Sequence, residues 1–303
     1  MASIRGFGRY LPDAIRGNTE LAQLLDCSPD WIRTMSGIGE RRVAAPDQTV
    51  GELARLAAVD CLKRANMAAS EVKLVLVSSG SGEKQFPGPA AWVAKELGMA
   101  DIPAIDLPIA SAGSLFGMSL ASQLTPIYGP VLVIASEKMA GPALAEPPDK
   151  NIAILFGDGA GACLITPSGD GLKIIDSVLH SDGTFSDELR MDLDSSIRMN
   201  GFSVIMQASR KIPSSILELL ERNHTPAQSV TAFLMHQANQ NLIDRVAKAV
   251  GVGPDKFFSN IERYGNTSSA SLFIAASEWM EQHPLKSGDT VCFAAFGAGF
   301  HWG

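Results

Sequence analysis

The chain has 303 residues, of which 46% are hydrophobic, and a formal net charge of −7. This length and composition suffice for a large core, and Lys and Arg form no run that suggests a nucleic-acid surface. The cysteines lack the spacing of a metal site or a disulfide framework, so we expect reduced, mostly buried thiols at Cys27, Cys61, Cys163 and Cys292. Arginines stand where a signal peptide has its apolar stretch, and no apolar run is long enough to span a bilayer. We therefore expect a cytoplasmic protein that binds neither nucleic acid nor membrane.

Strands and helices alternate in the predicted order of elements. Apolar runs bounded by glycine or polar residues predict buried strands at 72–77, 131–135, 160–166, 172–179, 230–235 and 290–295. Segments with helical periodicity occur at 50–65, 91–97, 115–124, 209–220, 242–250 and 272–281. This alternation predicts an α/β layered fold with mostly parallel sheets.

A weak internal repeat suggests that the fold contains two similar halves. The matching pairs of segments, in chain order, are 74–80 with 232–237, 111–116 with 267–273, and 130–135 with 289–294. Each set follows one strand–helix–strand plan, which favours a duplication about a pseudo-twofold axis over a generic doubly wound fold. Pro, Ser, Gly and Asp cluster after residue 166, so we predict halves at residues 1–167 and 168–303.

Ser111 lies where a predicted strand gives way to a helix, between small neighbours in the segment ASAG (110–113). Free amide N–H groups at a helix N-terminus favour developing negative charge, so a nucleophile suits this position. Taken alone, however, the residue is more typical of an ordinary helix N-cap.

His236 and Asn266 follow the same pattern in the second half. His236 ends an apolar strand and can accept or donate a proton near neutral pH. Asn266 follows a glycine and precedes a typical helix start, where its amide can donate to a carbonyl oxygen. Taken alone, His236 is equally well explained as a hydrogen-bonded core histidine. A lone Gly-Asn pair is more typical of an ordinary turn or cap asparagine.

The repeat strengthens the functional interpretation, because it predicts that these three segments face one another. The glycine-rich segment FGAGF (296–300) would close over the same pocket and add amide donors for an oxyanion. The segment FGDGAG (156–161) precedes a strand and lacks the lysine of a P-loop, so we interpret it as a structural turn.

The motifs HQAN (236–239) and GNTS (265–268) together resemble the histidine and asparagine signatures of the β-ketoacyl-acyl-carrier-protein synthase III family, which are decarboxylating condensing enzymes of the thiolase fold. The resemblance extends along the chain through WI (31–32), GIGERR (37–42), FP (86–87), SEK (136–138), FGDGAGA (156–162) and FGAGFHWG (296–303). It implies a thiolase-like fold of two duplicated α/β halves in α-β-α-β-α layers. The first half then carries the nucleophile position and the second carries the histidine and asparagine.

The resemblance also implies a reaction and a set of site residues. An acyl group would pass from acyl-coenzyme A to the nucleophile, and a malonyl–acyl-carrier-protein thioester would then be decarboxylated and condensed with it. The family works as homodimers without metal or redox cofactor. The implied catalytic residues are Ser111, His236 and Asn266, the oxyanion amides are Ser111 and Ala298, and the substrate-binding residues are Trp31, Phe86, Lys150, Asn239 and Phe296.

The sequence departs from the family at several of these positions. Ser111 replaces the nucleophilic cysteine, Ala298 replaces a glycine, and Met35 and Lys150 stand where arginines are common. A serine ionises far less readily than a thiol, whose pKa is about 8.5, and would need His236 as a general base. Three explanations stay open: a natural enzyme acting through an oxyester, an engineered cysteine replacement, and a non-acylating partner subunit of the same fold.

Overall fold

The computed structural model describes residues 1–99, 101–145, 147–193 and 195–303. The strands are β1 (Ser3–Tyr10), β2 (Ala14–Gly17), β3 (Glu40–Val43), β4 (Leu74–Ser78), β5 (Ala104–Leu107), β6 (Val131–Lys138), β7 (Asp158–Thr166), β8 (Leu172–Lys173), β9 (His180–Ser181), β10 (Leu189–Met191), β11 (Ile197–Met199), β12 (Ala232–Met235), β13 (Phe257–Phe258), β14 (Val291–Ala294), β15 (Phe296–Gly297) and β16 (His301–Trp302). The helices are α1 (Asn18–Leu24), α2 (Pro29–Ser36), α3 (Val50–Arg64), α4 (Pro89–Glu96), α5 (Gly113–Tyr128), α6 (Ala140–Ala143), α7 (Lys150–Ala153), α8 (Gly201–Arg222), α9 (Gln240–Val250), α10 (Ile261–Tyr264) and α11 (Ala270–Gln282).

The larger sheet has the strand order β5-β4-β6-β7-β1-β8. Strand β4, next to the edge strand β5, runs parallel to β5 and β6, whereas β7 is antiparallel to both β6 and β1. Strands β4 and β7 are buried along their whole length, which is why they read as continuous apolar runs in the sequence.

A second sheet repeats part of this plan. Its order is β13-β12-β14, all parallel, and Phe233 of β12 pairs with Cys292 of β14. The central strand therefore has one neighbour on each side, as β4 has between β5 and β6. Leu172 and Lys173, which follow the predicted boundary at residue 167, pair with β1 of the first half. The boundaries at 1–167 and 168–303 stay a prediction.

Helices separate and cover the two sheets, which confirms the predicted layered fold. The expectation of mostly parallel sheets is wrong for the larger sheet, where β7 runs antiparallel to both of its neighbours. Helices α5 and α11 lie between the sheets in one hydrophobic cluster with residues of β1, β4, β6 and β12. Helix α3 covers the other face of the larger sheet, and α8 and α9 cover the outer face of the second. Gly8 permits the close packing of β1 on α3, because a Cβ there would lie 2.2 Å from the backbone nitrogen of Cys61.

The predicted strand at 172–179 is wrong beyond Lys173. Over the described residues, this segment joins a ladder at Leu172 and Lys173, and pairing begins again at His180. A β-strand needs a hydrogen-bonded neighbour. The intervening residues instead line an apolar cavity of about 530 Å³ with α5, α8 and β14.

In the part of the chain that the structure describes, no helix is both long and apolar enough to cross a membrane. The cysteines are free thiols; Cys61, Cys163 and Cys292 are buried, and Cys27 is partly so. Burial raises the pKa of the Cys292 thiol to about 12, so this thiol stays protonated at neutral pH.

Candidate active site

Ser111 lies in a tight turn directly before α5. Its φ of 62° is in the left-handed region, and its side chain is 5% exposed. The N-cap of α5 is Ala112, so Ser111 is not the cap residue that its sequence position first suggests. Gly113 makes the turn possible, because a Cβ there would lie 1.7 Å from the hydroxyl oxygen of Ser78. The turn thus holds the Ser111 side chain in the interior.

His236 follows β12 and is almost fully buried. Its Nδ1 lies 2.6 Å from the Ser271 hydroxyl oxygen, which also accepts the N–H of Gln237 at 3.0 Å. With the Ser271 proton directed at Nδ1, the ring proton is on Nε2. Burial lowers the pKa of His236 to about 3, while a hydrogen bond to the Ser268 backbone acts in the opposite direction. His236 is therefore a neutral ring with Nε2–H as a donor at physiological pH.

Asn266 is held by two backbone bonds, to Leu155 and to Gly157 at the start of the FGDGAGA segment. Its N–H donates to the carbonyl of Leu155 at 2.9 Å, and its carbonyl accepts the N–H of Gly157 at 3.0 Å. Its side-chain Oδ1 accepts the N–H of Ser268 at 2.9 Å. Because Oδ1 is engaged, the Nδ2 amide group is the end of the side chain that can donate to a ligand.

Ser268 connects the three residues that the sequence predicted. Its hydroxyl oxygen accepts the N–H of Ser111 at 3.0 Å and lies 3.3 Å from the Ser111 Oγ. Its backbone N–H donates to Asn266 Oδ1, and its carbonyl accepts the N–H of Ser271, whose hydroxyl oxygen lies 2.6 Å from His236 Nδ1. Ser111, His236 and Asn266, which are far apart in sequence, are thus gathered around one residue. Their catalytic roles stay predictions at this point.

Glu137 supports this cluster and was not predicted as a site residue. Its carboxylate is fully buried, and Oε1 accepts the hydroxyls of Ser268 at 3.0 Å and Ser269 at 2.6 Å. Oε2 accepts the hydroxyl of Ser81 at 2.6 Å and the N–H of Gly80 at 3.0 Å. Burial raises the pKa of Glu137, and these donors oppose that shift. The available sequence signal was a carboxylate inside the buried strand β6, where an unpaired charge is costly.

The closing segment FGAGF lies directly against Ser111. A Cβ on Gly297 would be 2.1 Å from the carbonyl oxygen of Ala110 and 3.0 Å from the Ser111 Cβ. Phe296 is buried with its ring edge-on to His236, at 5.3 Å between centroids. Ala298 is half-buried in the turn that follows β15. Gly297 therefore contacts the Ser111 turn and Phe296 contacts His236, as expected of a segment that closes over the site.

Two of the three residues predicted at the substrate entrance contact each other. The Lys150 ammonium lies 5.5 Å from the centroid of the half-buried Trp31 ring, in cation–π contact. Phe86 is 81% exposed and is not among the residues that line the cavity of about 530 Å³.

Asn239, also predicted to bind substrate, has structural contacts. Its Oδ1 caps α9 by accepting the N–H of Asn241 at 2.9 Å, and its Nδ2 donates to the Met35 carbonyl at 2.9 Å. The Oδ1 end caps α9 and the Nδ2 end ties it to α2, so the role of Asn239 towards a substrate stays a prediction.

The large cavity of about 530 Å³ is not lined by Ser111, His236 or Asn266. Convergent polar groups identify a reaction centre better than cavity size does. The candidate site is therefore the polar cluster around Ser111 and Ser268. Among the described residues, no group of three His, Cys, Asp or Glu side chains is arranged to hold a metal ion.

The comparisons with known proteins point to one family. Residues 105–183 match the family 3-Oxoacyl-[acyl-carrier-protein (ACP)] synthase III, and residues 220–303 match its C-terminal family. A β-ketoacyl-[acyl-carrier-protein] synthase III from Geobacillus kaustophilus is 35% identical, over 100% of this chain and 97% of its own length. The structure of the Aquifex aeolicus 3-oxoacyl-[acyl-carrier-protein] synthase III superposes with a TM-score of 0.95 at 32% identity, covering 100% and 98% of the two chains. The priming β-ketosynthase of the R1128 polyketide pathway gives 0.93 at 30% identity, covering 100% and 94%.

Proposed function

Because the chain belongs to the β-ketoacyl-[acyl-carrier-protein] synthase III family, we propose that it catalyses acyl transfer followed by decarboxylative condensation. An acyl group passes from coenzyme A to Ser111, and malonyl–acyl-carrier-protein then supplies the two-carbon unit. The observation that carries this proposal is the convergence of Ser111, His236 and Asn266 around Ser268.

The chemistry divides between the nucleophile and the two donors. Ser111 attacks the thioester, the C–S bond breaks, and coenzyme A leaves as its thiol. His236 Nε2–H and Asn266 Nδ2–H then donate to the thioester carbonyl of the malonyl group. Loss of CO₂ leaves an enolate whose negative oxygen these neutral donors stabilise. Its carbon attacks the acyl–Ser111 ester, so that the new C–C bond forms as the ester C–O bond breaks. The serine oxygen that leaves takes up a proton from solvent water.

The amides of Ser111 and Ala298 are the proposed oxyanion donors for the acyl-transfer step. The Ser111 N–H already donates to Ser268 Oγ, so an oxyanion would share it in a three-centre bond. The approach of Gly297 to Ala110 brings the Ala298 turn to the same side of Ser111.

Trp31 and Lys150 are the proposed contacts for the coenzyme A end of the substrate. Their cation–π pair offers an aromatic face and an exposed positive charge in one place. Phe296 is the proposed inner wall of the pocket, and Asn239 is proposed to lie at its rim. Coenzyme A enters as part of the substrate, and the proposed chemistry uses no further cofactor. We place the reaction in the cytoplasm.

A homodimer is the proposed assembly. Strand β5 is the edge of the larger sheet, and in the described residues its outer side has no partner strand. Phe86, Trp92 and Ile105, which are 81%, 38% and 45% exposed, lie on and around this edge. An open edge beside exposed apolar side chains favours association with another copy.

Acylation tests the enzymatic function directly. We would incubate the protein with acetyl-, isobutyryl- or octanoyl-coenzyme A and measure peptide masses, with Ser111→Ala as the control. An acyl increment on the peptide containing Ser111, absent from the control, is the expected result. If malonyl–acyl-carrier-protein is decarboxylated while neither Ser111 nor a Ser111→Cys variant is acylated, the protein is a non-acylating partner subunit instead.

A further inference from the structure

We propose that Ser268 and Glu137 form a relay that takes the proton of the Ser111 hydroxyl during acyl transfer. This inference rests on the proposed function and deepens it. Ser268 contacts the reacting oxygen and is a catalytic residue in this scheme, whereas Glu137 acts through it as a positioning residue.

The hydrogen-bond inventory of Ser268 fixes the direction of the relay. A hydroxyl has one proton to donate and two lone pairs with which to accept. Its proton goes to Glu137 Oε1 at 3.0 Å, because a carboxylate can only accept. One lone pair takes the Ser111 N–H at 3.0 Å. In the remaining contact, 3.3 Å between the two hydroxyl oxygens, Ser111 is therefore the donor.

His236 is poorly suited to this task. Its Nδ1 faces Ser271, its Nε2 carries the ring proton, and burial lowers its pKa to about 3. Such a ring is a good donor towards a carbonyl and a weak base. Glu137 is a better final acceptor, because burial raises its pKa and every partner described for its carboxylate is a donor. The Ser111–Ser268 contact is long, as catalytic contacts often are before a substrate binds.

The step balances without an added reagent. The Ser111 Oγ–H proton moves to Ser268 Oγ as the Ser268 proton moves to Glu137, while the Ser111 oxygen bonds to the acyl carbon. The C–S bond then breaks. The proton on Glu137 returns through Ser268 to the departing coenzyme A sulfur, which leaves as the thiol.

A nucleophile exchange separates activation from simple support. We would measure the acylation rate of Ser268→Ala in the native chain and in a Ser111→Cys background. A thiol, with a pKa of about 8.5, forms its anion without a strong base. We expect Ser268→Ala to slow acylation about 100-fold with serine as the nucleophile and no more than about 3-fold with cysteine.

Ser269→Ala is the matched control. Its hydroxyl donates to the same Glu137 oxygen at 2.6 Å, yet it makes no hydrogen bond to Ser111 among the described residues. We expect this variant to acylate within about 3-fold of the native rate. Glu137→Gln should repeat the loss seen in Ser268→Ala, and thermal unfolding would identify a variant that does not fold.

The outcomes are distinct. Equal losses with serine and cysteine, or equal losses in Ser268→Ala and Ser269→Ala, would overturn the relay and leave Ser268 a structural residue. Acylation of Ser111→Cys without any acylation of native Ser111 would also overturn it. If neither nucleophile is acylated, the proposed function itself fails.

Discussion

Gly297→Ala is the substitution that best tests the contact between the closing segment and Ser111. The added Cβ would lie 2.1 Å from the Ala110 carbonyl oxygen and 2.7 Å from the Ala112 nitrogen. The first distance is about 1.3 Å short of the 3.4 Å at which ordinary contact begins. Both neighbours are backbone atoms of the Ser111 turn, so the closing segment and the turn must move apart.

This displacement should affect activity more than stability. Overpacking of this kind costs about 1–3 kcal/mol of unfolding free energy. An oxyanion donor must lie within about 2.7–3.1 Å of the oxygen, so a movement near 1 Å removes it, and loss of one such donor slows catalysis about 10²–10³-fold. We therefore expect the acylation rate of Ser111 to fall at least about 100-fold in a protein that is still folded at 25 °C.

Stopped acylation reactions analysed by peptide mass spectrometry, together with urea unfolding, would measure both effects. Gly141→Ala is the control, because a Cβ at Gly141 meets no atom within 4 Å and the residue lies in α6. If Gly297→Ala and Gly141→Ala acylate at the same rate, the closing segment takes no part in the site and our assignment of the oxyanion donors is refuted.

Three further predictions address the histidine, the assembly and the entrance. His236 has a folded pKa of about 3 against an ordinary value of 6.5, so its contribution to stability is lost as pH falls through this window. Between pH 6 and 4.5, the free energy of unfolding measured in urea should fall by about 1.4 kcal/mol per pH unit more in the native protein than in His236→Gln. Equal pH dependence of the two proteins would contradict this. Ile105→Lys should convert a dimer to a monomer in sedimentation velocity, whereas Leu217→Lys, at similar exposure, should not. Trp31→Ala should raise the KM for acyl-coenzyme A about 10-fold with kcat within about 2-fold, and a fall in kcat alone would remove Trp31 from the entrance.

Elements whose information is local were predictable from the sequence. The predicted helix at 50–65 and strand at 131–135 correspond to α3 and the first part of β6. Both are dominated by one apolar pattern that needs no partner to be recognised. Strand β1 was missed because Arg5 and Arg9 interrupt its apolar pattern; their side chains reach Asp170 and Glu281 near the surface while the strand itself is largely buried.

The support of the site depends on contacts that no local pattern carries. Ser268 and Glu137 are 131 positions apart. They meet because Ser268 lies just before α11, the helix between the two sheets, and Glu137 lies near the end of β6 in the larger sheet. In the sequence, Ser268 looks like part of a helix start and Glu137 like the polar end of a strand. Phe86 shows the converse limit, because the motif identified a residue whose side chain is 81% exposed in this chain.

The arrangement also bears on the proposal that a serine acts as nucleophile at a position where the resemblance implies a cysteine. Decarboxylation needs donors that stay neutral, and burial keeps His236 neutral by lowering its pKa. Acyl transfer to serine needs a base, and one imidazole cannot be both a fixed Nε2–H donor and a ready proton acceptor. A cysteine avoids the conflict because its thiol ionises readily. A serine requires a second acceptor, and Glu137 behind Ser268 is the buried carboxylate within reach. On this proposal, the two half-reactions use separate groups that meet at Ser268.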